Sequence, residues 1–146
     1  MSQDQSFEIL LVDDDPAVAD LLTRIGQQHF AEATFSWVTS PQESIDFLNQ
    51  RSTKLPRLIL LDIDFHLEVD GLNFLPDLSN RIKGLIPIIM LTVSNTEDNV
   101  QKAYAAGAAA FTLKPDGLQG WKDYLKALKA YWYELITLPP PSLSQN

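Results

Sequence analysis

The sequence contains no cysteine, which excludes disulfides and thiolate metal sites and fits a reducing compartment. Histidine occurs only at His29 and His66, too few and too far apart for a zinc site; both are expected at the surface. Cations are in deficit: 11 Lys and Arg stand against 19 Asp and Glu, for a net charge of -8 and a pI near 4.5. Phosphate backbones and anionic membranes require a basic surface, so neither nucleic acid nor a membrane is expected as a partner. No apolar run approaches the roughly 20 residues of a membrane helix. Met1 to Ser6 is polar and lacks an apolar signal core. The expected location is the cytoplasm.

What is present is an ordinary globular composition: 146 residues, 45% apolar and 21% charged, enough for one self-sufficient core. The expected organisation is a single domain over 1–146. Its core spans about 8–136, with flexible tails at 1–6 and at 139–146, where Pro139-Pro140-Pro141 cannot continue a helix.

Strand and helix patterns alternate along the chain. Strands are expected at Glu8–Val12, Ala33–Val38, Leu58–Asp62, Ile88–Thr92 and Ala108–Leu113. Helices are expected from Pro16, a first-turn proline; from Ser40-Pro41-Gln42-Glu43, a capping box; from Gly71, with Pro76 as a distortion near its first turns; and from Thr96, with Glu97 and Asp98 suiting the helix dipole. Gly107 is placed for a left-handed helix end. The last helix is expected from about Leu118 to Ile136, with Leu118, Trp121, Leu125, Leu128, Trp132 and Leu135 forming one apolar stripe. Strict alternation implies right-handed crossovers and a parallel sheet covered on both faces. Continuously apolar strands agree.

Four of these strands end on polar residues: Asp13-Asp14-Asp15, Asp62, Thr92 and Lys114-Pro115. In an open parallel sheet those ends share one edge, where ligands bind. Singly, each has a plain reading. Asp-Asp-Asp-Pro caps a helix, an aspartate ends a strand in a turn, and a β-branched threonine suits a strand. Jointly they form a site. Clustered carboxylates repel one another, and an oxygen-preferring dication such as Mg²⁺ removes the conflict while leaving room for a phosphoryl group. Lys114 adds positive charge and Thr92 a hydroxyl. With no serine or histidine at these strand ends, the nucleophile must be a carboxylate, best Asp62.

The segments Ile9–Pro16, Leu58–Asp62, Ile88–Thr92 and Phe111–Pro115 together resemble the response-regulator receiver domain, over roughly Glu8 to Trp132. The resemblance implies a flavodoxin-like (βα)5 fold with strand order 2-1-3-4-5, and the phosphoacceptor at Asp62. It implies Mg²⁺ on Asp13, Asp14, Asp62 and the backbone carbonyl of Asp64. It also implies a switch pair at Thr92 and Phe111, a phosphoryl-binding Lys114, and a cis bond to Pro115. A sensor histidine kinase would be the donor. Three departures from the family pattern stand out: Phe65-His66 replaces its usual Met-Pro, the stretch from Asp62 to Gly71 is one residue longer, and Val93 is bulkier than the usual residue after the switch threonine. Val93 is expected to restrict phosphodonor access or slow hydrolysis. His66 lies in the loop beside Asp62.

The ending Tyr131-Trp132-Tyr133-Glu134-Leu135-Ile136-Thr137-Leu138-Pro139, with Ser94 to Asn99, is similar to the small regulators paired with cyanobacterial phytochromes, which suggests a phytochrome-type kinase. Aromatic excess on the last helix favours an interface, and receivers commonly dimerise through the last helix and strand five, so a homodimer is expected. The expected function is a stand-alone, non-enzymatic phosphoacceptor in a two-component pathway. Two alternatives are an unphosphorylated pseudo-receiver that acts only as an interaction module, and a haloacid-dehalogenase-like phosphatase using the Asp-x-Asp within Asp13–Asp15.

Overall fold

A computed structural model describes residues 7–51, 54–63, 71–93 and 96–138. The expected tails, the Asp64 carbonyl, Phe65, His66 and Ser94 lie outside the described residues.

Five parallel strands alternate with helices: β1 (Phe7–Val12), α1 (Pro16–His29), β2 (Ala33–Val38), α2 (Pro41–Asn49), β3 (Leu58–Leu61), α3 (Gly71–Ile82), β4 (Ile88–Thr92), α4 (Glu97–Ala105), β5 (Ala110–Leu113) and α5 (Gly117–Leu128). The order in the sheet is β2-β1-β3-β4-β5, so the doubly wound topology expected from the sequence is the one formed. β1 pairs with both β2 and β3. The reversal of winding therefore falls between β1 and β3, where Asp13 and Asp62 emerge.

Alternate side chains of the strands feed two cores. Leu10, Val12, Ile59, Leu61, Ile88 and Met90 pack with α2, α3 and α4 residues such as Leu48, Leu75 and Ala103. Ile9, Leu11, Leu58, Leu60, Ile89 and Leu91 pack with Leu22 of α1 and Trp121 and Leu125 of α5. Every residue of β3 is fully buried, and truncating one of these leucines to alanine would cost about 3 kcal/mol.

The caps follow the sequence signals. Ser40 Oγ accepts from the Glu43 amide while Glu43 Oε1 accepts from the Thr39 amide. Thr96 caps α4 at Asn99. After α4 the Gly107 amide bonds to Tyr104 O and the Ala108 amide to Ala103 O, with Gly107 at φ 116, the paired bonds of a Schellman ending. This explains why β5 begins at Ala110 and not at Ala108: the Ala108 amide is committed to closing the helix. Pro76 lies inside α3.

Two expectations are corrected at the C-terminal end. The last helix is not one continuous α-helix. Past Leu128 it widens into a π-helical segment, Lys129–Leu135, whose i→i+5 bonding includes Ile136 N to Tyr131 O. The expected stripe is interrupted at both ends, at Leu118 in the first turn of α5 and at Leu135 in the widened segment. Trp121, Leu125 and Leu128 are buried and Trp132 packs on the same core, but Leu118 and Leu135 are 52% and 70% exposed. Tyr133 turns inward in place of Leu135 and stacks edge-on against Phe7 at 5.4 Å and Phe30 at 5.6 Å. The second correction concerns Pro115. No peptide bond among the described residues is cis, so the Lys114–Pro115 bond takes the intrinsically favoured trans form. The reversal into α5 is made at Gly117, with φ 83, a conformation glycine adopts at no steric cost.

His29 is also not a simple surface residue. It is half-buried, and its Nε2 is enclosed without a hydrogen-bond partner.

Candidate functional site

The C-terminal ends of β1, β3, β4 and β5 converge on a cleft of about 320 Å³ lined by Asp13, Asp14, Asp15, Pro16, Asp62, Val93 and Lys114. Each arrives for a local reason. β1 and β3 run in register, with Val12 opposite Leu61, and the ladder extends one step further through Asp62 N to Val12 O at 3.0 Å. Asp13 and Asp62 therefore leave adjacent strands at the same level. Thr92 ends β4 fully buried, and its carbonyl accepts from the Lys114 amide at 2.7 Å, which brings the lysine to the same edge.

The three acids of the opening run divide their work. Asp15 is exposed and caps α1 by accepting from the Ala17 amide at 3.0 Å. Asp13 is fully buried and Asp14 partly so. Asp13, Asp14 and Asp62 can bring one carboxylate oxygen each within 4.8 Å of one another. Capping of α1 thus falls to Asp15, while Asp13 and Asp14 cluster with Asp62.

Lys114 Nζ lies 2.9 Å from Asp13 Oδ2 and 3.4 Å from Asp62 Oδ2. Burial alone would lower the lysine pKa, but the close contact with Asp13 and the charges of Asp62 and Asp13 outweigh it and hold the ammonium above its ordinary range. The approach to Asp13 Oδ2 is close but off the hydrogen-bonding direction: that oxygen is buried, ion-paired, and accepts no hydrogen bond. Among the described residues, three clustered carboxylates face one ammonium. An oxygen-only donor set with an excess of negative charge fits a hard dication such as Mg²⁺.

Gly71 fixes the chain beyond the end of β3. Its amide donates to Ile63 O at 2.7 Å, and a Cβ at this position would collide with the Asp62 carbonyl. α3 thus starts directly against the end of β3, where only glycine fits.

Of the switch candidates, Thr92 is buried at the end of β4, and Phe111 is half-buried against the α3/α4 core. Sequence reasoning missed four contacts that fix this region. The Phe111 amide donates to Tyr104 Oη of α4 at 3.1 Å, covering a backbone donor on an edge strand. Thr112 Oγ1 donates to Met90 O at 2.7 Å and lies 2.8 Å from Tyr124 Oη of α5; burial pushes the Tyr124 hydroxyl up to about 12. Trp37 Nε1 donates to the Asp13 carbonyl at 2.7 Å. None has a local sequence signature, because each depends on which elements become neighbours. Val93 was flagged from the sequence and does line the cleft, 74% exposed.

A doubly wound sheet with an acidic cluster and a lysine at its switch point defines a phosphoryl- or nucleotide-handling class of protein. Within that class the chain belongs to the response regulator receiver domain family, whose pattern matches residues 9–136. It is 28% identical over 147 residues to the probable methanogenesis regulatory protein FilR2 of Methanothrix harundinacea (strain 6Ac), covering 97% of this chain and 94% of that protein. It is 26% identical over 136 residues to the response regulator Rcp1 of Synechocystis sp. (strain ATCC 27184 / PCC 6803 / Kazusa), covering 90% and 92%. Its fold resembles the crystal structure of Mn(2+)-bound Rcp1, with a TM-score of 0.77 at 26% identity over 91% of this chain and 99% of that one. The phosphorylated cyanobacterial phytochrome response regulator RcpA gives a TM-score of 0.80 at 24% identity, over 92% and 99%. Receiver domains are signalling modules of two-component systems, paired as a family with histidine kinases, and they bind Mg²⁺ or Mn²⁺ at an acidic pocket. No helix among the described residues is long and apolar enough to cross a membrane.

Proposed function

We propose that this chain is a single-domain, stand-alone response regulator that accepts a phosphoryl group on Asp62 from a sensor histidine kinase of phytochrome type. The observation that carries this reading is the placement of Asp62: buried at the end of the central strand, beside Asp13 and Asp14, with Lys114 at 3.4 Å. Mg²⁺ held by Asp13, Asp14, Asp62 and the Asp64 carbonyl would supply positive charge to the transferring group. An Asp62 carboxylate oxygen forms the new bond to phosphorus as the donor's P–N bond breaks. The electron pair leaves with the donor imidazole, which takes up a proton. Lys114 neutralises the added charge, and the Thr92 hydroxyl turns to meet the phosphoryl oxygens.

Phosphorylation adds nearly two negative charges and three acceptors. Thr92 moving inward vacates space for the half-buried Phe111, which remodels the surface of α4, β5 and α5. On that surface Tyr104, Leu113 and Leu118 are exposed, and Tyr131 and Leu135 extend the apolar area along the π-helical segment. This supports output through self-association into a homodimer on the β5/α5 face. The phosphatase alternative loses support because Asp15, the second acid of its Asp-x-Asp, is exposed and committed to capping α1.

The deciding experiment is intact mass after incubation with Mg²⁺ and a small acyl phosphate, beside Asp62→Asn. One phosphoryl group gained by the parent alone is the expected result. No gain, together with no Mg²⁺ binding, leaves an interaction module and overturns the reading.

A further inference from the structure

We propose that Trp37 is a positioning residue for Asp13: its indole N–H holds the acidic turn in the geometry that places the Asp13 carboxylate at the cleft. The inference rests on reading that cleft as a cation site and adds to it a residue from outside the acidic cluster.

The argument is an account of where every polar atom of Asp13 goes. Asp13 is fully buried, so water does not supply its partners, and a buried backbone group left without one is costly. Its amide donates to Val38 O at 3.1 Å, one rung past the paired residues of β1 and β2. At that level β2 ends. The amide that would continue the ladder to the Asp13 carbonyl belongs to Ser40, where the chain has already turned to become the N-cap of α2. The Asp13 carbonyl receives its hydrogen bond from a side chain instead, Trp37 Nε1 at 2.7 Å. Asp13 Oδ1 accepts from the Asp15 amide at 2.9 Å. Three of the four polar atoms are thus hydrogen-bonded, and the fourth, Oδ2, is the one ion-paired to Lys114 and accepting no hydrogen bond.

Trp37 reaches this carbonyl because of register. It lies opposite Leu11, two residues before Asp13, and its ring spans that distance along the outer edge of the sheet. The residue is 41% exposed, so the indole is not driven there by burial alone. A phenylalanine could cover the same surface but could not donate. With the carbonyl released, the peptide after Asp13 gains freedom to rotate, and that rotation carries the Asp13 carboxylate and Asp14 together. The effect should fall on cation affinity more than on stability.

The test is a calorimetric Mg²⁺ titration of the full chain as parent, Trp37→Phe and Trp121→Phe. Trp121 is a buried core residue remote from the cleft lining, so its replacement measures what general loosening does. The expected result is Mg²⁺ binding about fivefold weaker in Trp37→Phe and within twofold of the parent in Trp121→Phe. Binding within twofold of the parent in Trp37→Phe overturns the inference, as does equal weakening in both variants. If Trp37→Phe does not fold, the parent's indole N–H resonances decide. A Trp37 signal that exchanges as slowly as a hydrogen-bonded amide and shifts with Mg²⁺ supports the assignment; one that exchanges freely and stays fixed overturns it. A parent that binds no Mg²⁺ overturns the cation reading itself, a failure separate from one confined to Trp37→Phe.

Discussion

The two ends of β1 carry buried charge in opposite ways. At its start, Glu8 meets Arg51 through two bonds, Oε1 to Nη1 at 2.8 Å and Oε2 to Nη2 at 3.0 Å, and Ser36 Oγ donates to Oε2 at 2.6 Å. Arg51 also stacks over Phe47 at 4.3 Å. Charge is balanced and both carboxylate oxygens are bonded. At the other end, four apolar residues later, Asp13 shares one lysine with Asp62 in the presence of Asp14, and one of its oxygens accepts no hydrogen bond. The same strand thus begins in a closed ion pair and ends in an open one. A closed pair holds a fold together; an open one leaves excess negative charge at the sheet edge among the described residues.

Removing the cation at each end should separate the two most sharply. Arg51→Met leaves Glu8 half-enclosed and unpaired, and should cost about 2–3 kcal/mol in urea unfolding, with no recovery on adding Mg²⁺. Lys114→Met should cost a similar amount in a chelator, because two buried carboxylates lose their counter-charge, and millimolar Mg²⁺ should restore most of it by binding the folded state. Equal Mg²⁺ responses in the two variants would break the contrast.

A smaller effect, of opposite sign, is expected within the acidic end. Asp14→Asn relieves like-charge crowding, so the melting temperature in chelator should rise by a few degrees, about 1 kcal/mol. The same change should weaken Mg²⁺ binding. A variant less stable than the parent in chelator would mean that the carboxylates are not crowded.

The closed pair should show itself in acid. Burial by itself would raise the Glu8 carboxyl, but the hydrogen bonds from Arg51 and Ser36 and the charges of Arg51 and Lys54 outweigh it and hold the pKa below the ordinary 4.5. A depressed carboxyl contributes stability that is present above its unfolded pKa and is lost as pH falls through the folded one. Glu8→Gln should therefore lower stability at neutral pH and flatten its decline below pH 4.5. Parallel pH profiles for parent and variant would assign the acid sensitivity to other carboxylates.

The sequence carried the elements that local rules govern. Strand and helix order, the Ser40 and Thr96 caps, the Gly107 ending and the acids at the strand ends follow from periodicity and capping chemistry, and the structure forms them. What was not legible depends on packing between distant segments. The π-helical widening at Lys129 serves the Phe7, Phe30 and Tyr133 cluster, a contact between the first and last elements of the chain. Trp37 and Tyr104 look like ordinary aromatics until register and neighbour place them against Asp13 and Phe111. The closed pair joins residues 43 positions apart, and nothing around Arg51 marks it as the partner of Glu8.

The π-helical segment also has a consequence for counting. A π turn accommodates more residues than an α turn, so Lys129–Leu135 acts as a phase shift written into the end of the chain. Upstream of it, side chains keep the beat that buries Trp121, Leu125 and Leu128; within it, the beat restarts with Tyr133 facing in and Leu135 facing out. Gaining or losing one residue here would change which aromatics point to solvent while leaving α5 and the α2/α3/α4 core untouched. The outward face of this end of the molecule is thereby free to diverge by single-residue insertion or deletion, independently of the chemistry at the opposite edge of the sheet.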